Sequence, residues 1–283
     1  MNLCLNQISY SQLVSFLIFL ILCLLLFQLL SCSISLDNSF SSVVKKLNKS
    51  YNYKIIIFRS VSYANLPKYF KYHNNILEDY CNLHGYELKI FKHKDNVCPY
   101  WLRVMDLIRL SEIYDSNTIF IYMDIDTIIN PSYLDKDINQ LLCAYDTKSN
   151  INWDMYMGSD LDHIVNTGVM IVKNTSWSKQ LLNLWYGQYK SKNWIYDSIT
   201  NEWIYHHNGI KSQFATHGYE QGELNKLMMF GAIDYKNNIA VMHYSWLSNR
   251  DINDPCDTFI YHFYSNNDDQ FKLDSMRLIY DNI

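Results

Sequence analysis

The chain has 283 residues, of which 49% are hydrophobic and 16% aromatic, enough for a full core in one large domain or two small ones. Its formal net charge of −4, with no basic stripe interleaved with aromatic residues, excludes a nucleic-acid-binding balance and predicts no nucleic-acid partner. No internal repeat is visible.

Residues 1–12 form an uncharged tail. Leu13 to Leu30, LVSFLIFLILCLLLFQLL, then runs without a charged side chain. It just reaches the ~18 apolar residues of a membrane-span candidate and exceeds a usual signal-peptide core. The run is apolar on every face, which disfavours a core helix. The reading is a single-pass signal-anchor over 13–31, with a cleaved signal peptide as the competitor. Residues 32–50, rich in Ser, Lys and Asn, read as a stem or linker, and 51–283 as the main folded domain. Lys45, Lys46 and Lys49 follow the anchor, and by the positive-inside tendency alone they would leave the long part in the cytosol.

Beyond the stem, YKIIIFRSV (Tyr53 to Val61) is a short continuous apolar run, as in a buried strand. Tyr69 to Gly85 carries Ile76, Leu77, Tyr80 and Leu83 at helical spacing, and Gly85 suits a helix stop. Tyr86 to Phe91 alternates like a strand. Pro99 to Tyr114 opens with proline and carries Trp101, Val104, Leu107, Ile108 and Ile113 at helical spacing. TIFIYMDIDTII follows. The order strand, helix, strand, helix, strand predicts an α/β fold with a mostly parallel central sheet.

That order gives meaning to Asp124 and Asp126. They interrupt an apolar run where a buried strand ends, and ligands of open α/β sheets bind outside the carboxyl ends of the strands. Side chains at i and i+2 share a face of an ideal strand, so the two carboxylates repel unless a cation lies between them. A hard divalent ion takes oxygen ligands and also grips phosphate oxygens, so this D-x-D can hold a metal–diphosphate. The bland reading is a pair of solvated loop acids.

Seven cysteines, Cys4, Cys23, Cys32, Cys81, Cys98, Cys143 and Cys256, include no C-x-x-C pair, which argues against a zinc cluster. An oxidising lumen would allow one or two disulfides among the last four. Asn48-Lys-Ser50 and Asn174-Thr-Ser176 fit the N-glycosylation pattern.

IFIYMDIDTIINPS resembles the D-x-D strand of GT-A glycosyltransferases. The chain is most similar to the retaining Golgi α-galactosyl/α-mannosyl/α-xylosyltransferase family, with the glycogenin-like retaining family near it. YCNLHGYELKIF, YWLRVMDLIRL, NTGVMIVKNTSWSKQLLNLW, YEQGELNKLM and FIYHFYS resemble further segments of that family in the same order, across Tyr53 to Ser265. Tyr264 and Ser265 stand where the family usually has Ala-Gly, and its Gly-rich, Cys-containing tail is absent.

The resemblance implies a metal-dependent retaining transferase, with a UDP- or GDP-sugar as donor and a glycan or glycoprotein as acceptor. It implies Asp124, Asp126 and His262 as metal ligands, with His243 as the rival histidine. One imidazole beside two carboxylates suits Mn2+ better than Mg2+. Asn166, Thr167 and Gly168 would line the donor sugar, and Arg103 would reach the phosphates, a surface ion pair being its competing use. The nucleotide-sugar set adds Phe58, Arg59 and Ser60 on the first strand. Glu220 and Gln221 would approach the reacting sugar carbon, so with Asp124 they are the candidate catalytic residues. The aromatic residues of Ser191 to His207 would form an acceptor platform or pack in the core. A lumenal, Golgi- or ER-like catalytic domain is implied as well. The competing functions are a catalytically inactive glycan- or nucleotide-sugar-binding relative, and a phosphatase-like hydrolase whose first motif is also D-x-D.

Overall fold

Alternation along the strands builds two apolar layers. On β1 (Lys54–Ser62), Ile56 and Phe58 join one layer and Ile55 and Ile57 the other. On β3 (Thr118–Met123), Phe120 and Tyr122 face the first layer and Ile119, Ile121 and Met123 the second, so every residue of this strand is buried. A strand covered on both faces reads as a continuous apolar run, which is why its sequence lacks polar alternation.

The computed structural model describes residues 52–62, 66–94, 98–161, 163–200, 202–252, 257–264 and 268–281. The expected tail 1–12, anchor 13–31, stem 32–50 and sequon at Asn48 lie outside the described residues. Among the described residues no helix is long and apolar enough to cross a membrane.

The remaining elements are α1 (Phe70–His84), β2 (Glu87–His93), α2 (Pro99–Ile113), β4 (Thr127–Ile129), α3 (Ile138–Ser149), β5 (Met155–Gly158), β6 (Val169–Lys173), α4 (Ser176–Tyr186), β7 (Trp194–Asp197), β8 (Glu202–His207), β9 (Ile210–Lys211), α5 (Glu220–Met229), β10 (Ile239–Met242), α6 (Tyr244–Leu247), β11 (Ile260–His262) and α7 (Asp269–Asp281). The central sheet has the order β10-β5-β6-β3-β1-β2. It is mostly parallel, as expected, but β6 runs antiparallel to both neighbours. Helices α2, α4 and α5 cover one face through Trp101, Leu107, Leu182, Trp185 and Leu224, and α1 and α3 cover the other through Leu77, Tyr80 and Leu142. A separate antiparallel pair joins β4 to β11, and β7, β8 and β9 form a small meander.

Local signals place the helix ends. Gly85 takes φ 69° after α1 and donates its N–H to Cys81, the left-handed stop that glycine permits. Thr175 and Ser178 close a capping box at the start of α4.

Three expectations meet a different structure. Leu83 and Ile113 are 66% and 67% exposed, because each lies six residues, about 240° round its helix, beyond a core leucine, Leu77 and Leu107 respectively. Asn174 is not available to carry a glycan. It is 1% exposed, and its Nδ2 donates to the carbonyls of Tyr114 (2.7 Å) and Asp115 (2.8 Å), tying the loop after α2 to the end of β6. Cys81, Cys98 and Cys143 are buried and free, so no disulfide joins the described residues, and Cys256 lies outside them.

Leu107→Ala should therefore destabilise the protein by about 2–5 kcal/mol in urea unfolding, the usual cost of a large-to-small change in a filled core, while Leu83→Ala should stay within about 0.5 kcal/mol. Equal effects would contradict the assignment of the two faces.

Candidate active site

The apolar run of β3 ends at Met123, and the chain turns at once. The Thr127 N–H (3.1 Å) and hydroxyl (2.7 Å) both donate to the Asp124 carbonyl, so Asp124 and Asp126 sit in a tight turn and not on a continuing strand. The Asp124 N–H donates to Gly168 O (2.8 Å), which pins the turn to the start of β6. Beyond the turn, β4 pairs with β11 in a register that sets His262 opposite Thr127. The Phe263 N–H then donates to the Asp126 carbonyl (2.9 Å). A histidine more than a hundred residues away is thus delivered to the acid pair by strand register.

The result is a convergent donor set. One ligand atom from each of Asp124, Asp126 and His262 lies within 4.8 Å of the others. His262 Nε2 is 3.7 Å from Asp124 Oδ2 and 3.4 Å from Asp126 Oδ1. The ring is buried, and its Nδ1 has no partner among the described residues. It lies against Gly168, where a Cβ would come within 1.9 Å of His262 Cε1. Only glycine leaves room for this imidazole. His243 stands elsewhere, at the start of α6, where its ring accepts from the Ser245 N–H.

Positive charge surrounds the acids. Arg103 on α2 grips both oxygens of Asp124 (Nη2–Oδ1 3.0 Å, Nη1–Oδ2 3.2 Å) and reaches Thr167 O (3.1 Å) and Glu220 Oε1 (3.5 Å). Its guanidinium carbon lies 4.8 Å from the centre of the Tyr122 ring, and the Tyr122 hydroxyl donates to Asp124 Oδ1. Burial alone would lower the Arg103 pKa, but Asp124, Tyr122 and Glu220 raise it on balance. Lys272 on α7 pairs with Asp126 Oδ2 at 2.7 Å. Burial works against the Asp126 carboxylate, yet His262 and Lys272 together hold its pKa well below the usual range.

A second cluster adjoins Arg103. The Thr167 hydroxyl donates to Glu220 Oε1 (3.1 Å), and its N–H donates to Gln221 Oε1 (3.1 Å). Gln221 Nε2 donates to Asp160 Oδ2 (2.8 Å), and Asn166 Oδ1 accepts from the Gly168 N–H (2.9 Å). Burial raises the pKa of Glu220, and Arg103 partly offsets it. Arg103 is the joint between the two clusters.

The structure brings Asp124, Asp126, His262, Arg103, Thr167, Gly168, Glu220 and Gln221 together, with Asn166 beside them. It does not bring Phe58 or Arg59 to an open face. Phe58 is fully buried against Phe91 and Tyr122. Arg59 is also fully buried. It donates to Thr127 O (3.3 Å) and Asn74 Oδ1 (3.2 Å), and burial lowers its pKa to about 10. His73 joins it beneath the turn through Ile125 O (2.8 Å), and both residues support the turn from inside. Ser60 donates to Asp106 Oδ2 (2.6 Å), which His93 Nε2 also meets (2.7 Å). In the meander, Trp194 and Tyr205 are core residues, and Tyr196 stays 43% exposed against Trp203. The sequence pattern does not single out Tyr122, Lys272, His73 or Asp160. Tyr122 alone had a local signal, a phenol just before the acids in an apolar strand.

No family model matches this chain, and no curated protein matches it in sequence. A solved glycosyltransferase involved in the glycosylation of the major capsid of PBCV-1 superposes with a TM-score of 0.51 at 16% identity, over 80% of this chain and 99% of its own. The fold is similar to that of this glycosyltransferase. The glycosyltransferase GlyE of Streptococcus pneumoniae TIGR4 aligns at 14% identity over 69% of this chain and 46% of its own, with a TM-score of 0.35. At these identities the likeness is one of fold, and it rests on the first structure.

Removing the guanidinium would leave Asp124 and Glu220 without their cation. Arg103→Met should therefore cost about 3–5 kcal/mol in denaturant unfolding, the scale for stranding buried charge. A loss under about 1 kcal/mol would mean that water replaces the guanidinium freely.

Proposed function

We propose that this chain is a divalent-cation-dependent, retaining glycosyltransferase of the GT-A kind. In this reading it takes a hexose or pentose from a UDP- or GDP-sugar and passes it to a glycan or glycoprotein. The observation that carries the reading is the meeting of Asp124, Asp126 and His262 at the carboxyl end of β3, in a sheet whose fold is that of a glycosyltransferase.

The donor set fits Mn2+. Two carboxylates and one imidazole make a mixed oxygen and nitrogen site, which favours Mn2+ over the all-oxygen preference of Mg2+. The close seat of the His262 ring on Gly168 fixes the imidazole where it can serve. When bound, the cation would supply Lewis-acid stabilisation of the leaving diphosphate, an effect worth several kcal/mol.

The chain's own residues do the rest. Arg103 holds Asp124 and Glu220 in one orientation and places a fixed positive charge beside the diphosphate. Thr167 and Gln221 brace the donor-sugar side, and Glu220 presents a buried carboxylate to the sugar. Arg59 contributes from beneath by holding the turn at Thr127 O, Phe58 packs under Tyr122, and Ser60 bonds Asp106. Glu220 Oε1 is already held by Thr167 and near Arg103, so it serves better as a positioning carboxylate than as a nucleophile. Retention then follows from a same-face displacement. The acceptor oxygen bonds to the anomeric carbon as the bond to the diphosphate oxygen breaks, and the departing diphosphate oxygen takes the proton. We further propose that the anchor at 13–31 and the stem at 32–50 hold this domain in a Golgi- or ER-like lumen. Resistance to protease in sealed vesicles would support that placement, and digestion without detergent would overturn it.

Turnover decides between the transferase and an inactive binding relative. Screening UDP- and GDP-sugars should find hydrolysis that Mn2+ supports and a chelator abolishes. Asp124→Asn and Asp126→Asn should each lose about a hundredfold or more, equivalent to about 3 kcal/mol, while keeping the native circular dichroism. Near-normal rates in either variant would move the site elsewhere.

Gly168→Ala should displace the His262 ring and weaken Mn2+ binding by about tenfold or more, and His243→Ala should leave it unchanged. The reverse ranking in a Mn2+ titration would assign the ligand to His243.

A further inference from the structure

Both acids of the site already hold a cation that belongs to the chain, and the two cations are held differently. Arg103 is locked. It spans both oxygens of Asp124, a backbone carbonyl and Glu220, so it cannot leave without stranding a second buried acid. The Lys272 ammonium hydrogen-bonds only Asp126 Oδ2, at 2.7 Å, among the described residues. It rides on a flexible stem with the Tyr69 ring centre 5.8 Å from its ammonium. The residue is only 8% exposed, so the ammonium is not a solvated charge drifting past a carboxylate. Its helix is fastened nearby. Met276 packs with Ile128, Tyr261 and Phe263, and the Tyr280 hydroxyl donates to Ile129 O (2.9 Å). The ammonium is therefore delivered to Asp126 by the same β4–β11 unit that delivers His262.

A divalent ion on Asp126 Oδ1 and His262 Nε2 would stand a few ångströms from this ammonium, in a partly desolvated site where like charges repel strongly. We propose that Lys272 is the resident counter-cation of Asp126 and that a divalent ion binds by exchange with it, the lysine and the ion being mutually exclusive on this carboxylate. The inference rests on the reading of Asp124, Asp126 and His262 as a metal site, and it adds a device that sets how tightly that site binds. A competing contact taxes affinity by the fraction of time it leaves the site open. A pair closed about nine-tenths of the time weakens the ion about tenfold. The same contact protects the acid pair from mutual repulsion when no ion is bound.

Two measurements on the described domain in its full chain test the exchange, with Mn2+ alone as the probe. In calorimetric titration, Lys272→Gln should bind Mn2+ about tenfold more tightly than the wild type, and Lys272→Arg should not. Deleting a positive charge also tightens a cation through space, so the second measurement uses the unaltered protein. Amine acetylation followed by mass spectrometry should show Lys272 becoming more reactive as Mn2+ saturates the site, while Lys173, buried at a separate ion pair with Asp146, does not change. Unchanged Lys272 reactivity in a protein that binds Mn2+ overturns the exchange and leaves the metal site standing. Failure of the wild type and of Lys272→Gln alike to bind Mn2+ overturns the metal reading and the exchange with it.

Discussion

The mutual repulsion of Asp124 and Asp126 is the constraint on which the carboxyl end of the sheet depends. Their ligand oxygens and the His262 nitrogen lie within 4.8 Å of one another, where two full negative charges in a protein-like dielectric oppose each other by roughly 3–4 kcal/mol. Three separate elements answer that repulsion. Helix α2 supplies Arg103, β11 supplies His262 and α7 supplies Lys272. None is a sequence neighbour of the acids, so the charge pattern of the turn ties distant parts of the chain to one point. The Tyr122 phenol adds a neutral donor to Asp124 Oδ1, the oxygen that Arg103 Nη2 also holds.

Compensating the charge does not by itself hold the turn in shape. That work falls to the buried layer beneath it, where Arg59 and His73 bond the carbonyls of Thr127 and Ile125. Burial drives the pKa of His73 well below its ordinary value, with the Arg59 charge adding to the effect, so His73 is a neutral support and not another cation. The site is thus built in two tiers. Permanent buried donors fix the backbone, and cations nearer the surface of the turn balance the side chains.

Much of the scaffold was legible in the sequence because its signals are local. The apolar runs of β1 and β3, the proline that opens α2 and the glycine that ends α1 each act within a few residues. What was not legible depends on distance along the chain. Nothing in VMIVK says that β6 runs against its neighbours, because a strand buried on both sides carries the same apolar pattern in either direction. The Asn174 sequon misleads because its amide is consumed by carbonyls about sixty residues away, a fact of packing that three letters cannot carry. Lys272 and Asp160 likewise reach the site through tertiary placement alone, whereas the paired acids announced themselves by their cost in an apolar run.

The reversed direction of β6 has a consequence for how this protein can change. A parallel strand would bring only its far end to this edge of the sheet. Because β6 runs the other way, its beginning lies beside the end of β3, and the connecting segment from β5, with Asp160, Asn166 and Thr167, folds back over the same edge. That segment is tied down at its margins, by Asn166 N–H to Gly158 O (2.8 Å) and by the Val165 N–H to Asn225 Oδ1 (2.9 Å). Asp160 adds a third tie from within the segment, through Gln221 Nε2 (2.8 Å). A change in this segment therefore reaches the acids at once, through Gly168 O on the Asp124 N–H and Thr167 O on Arg103.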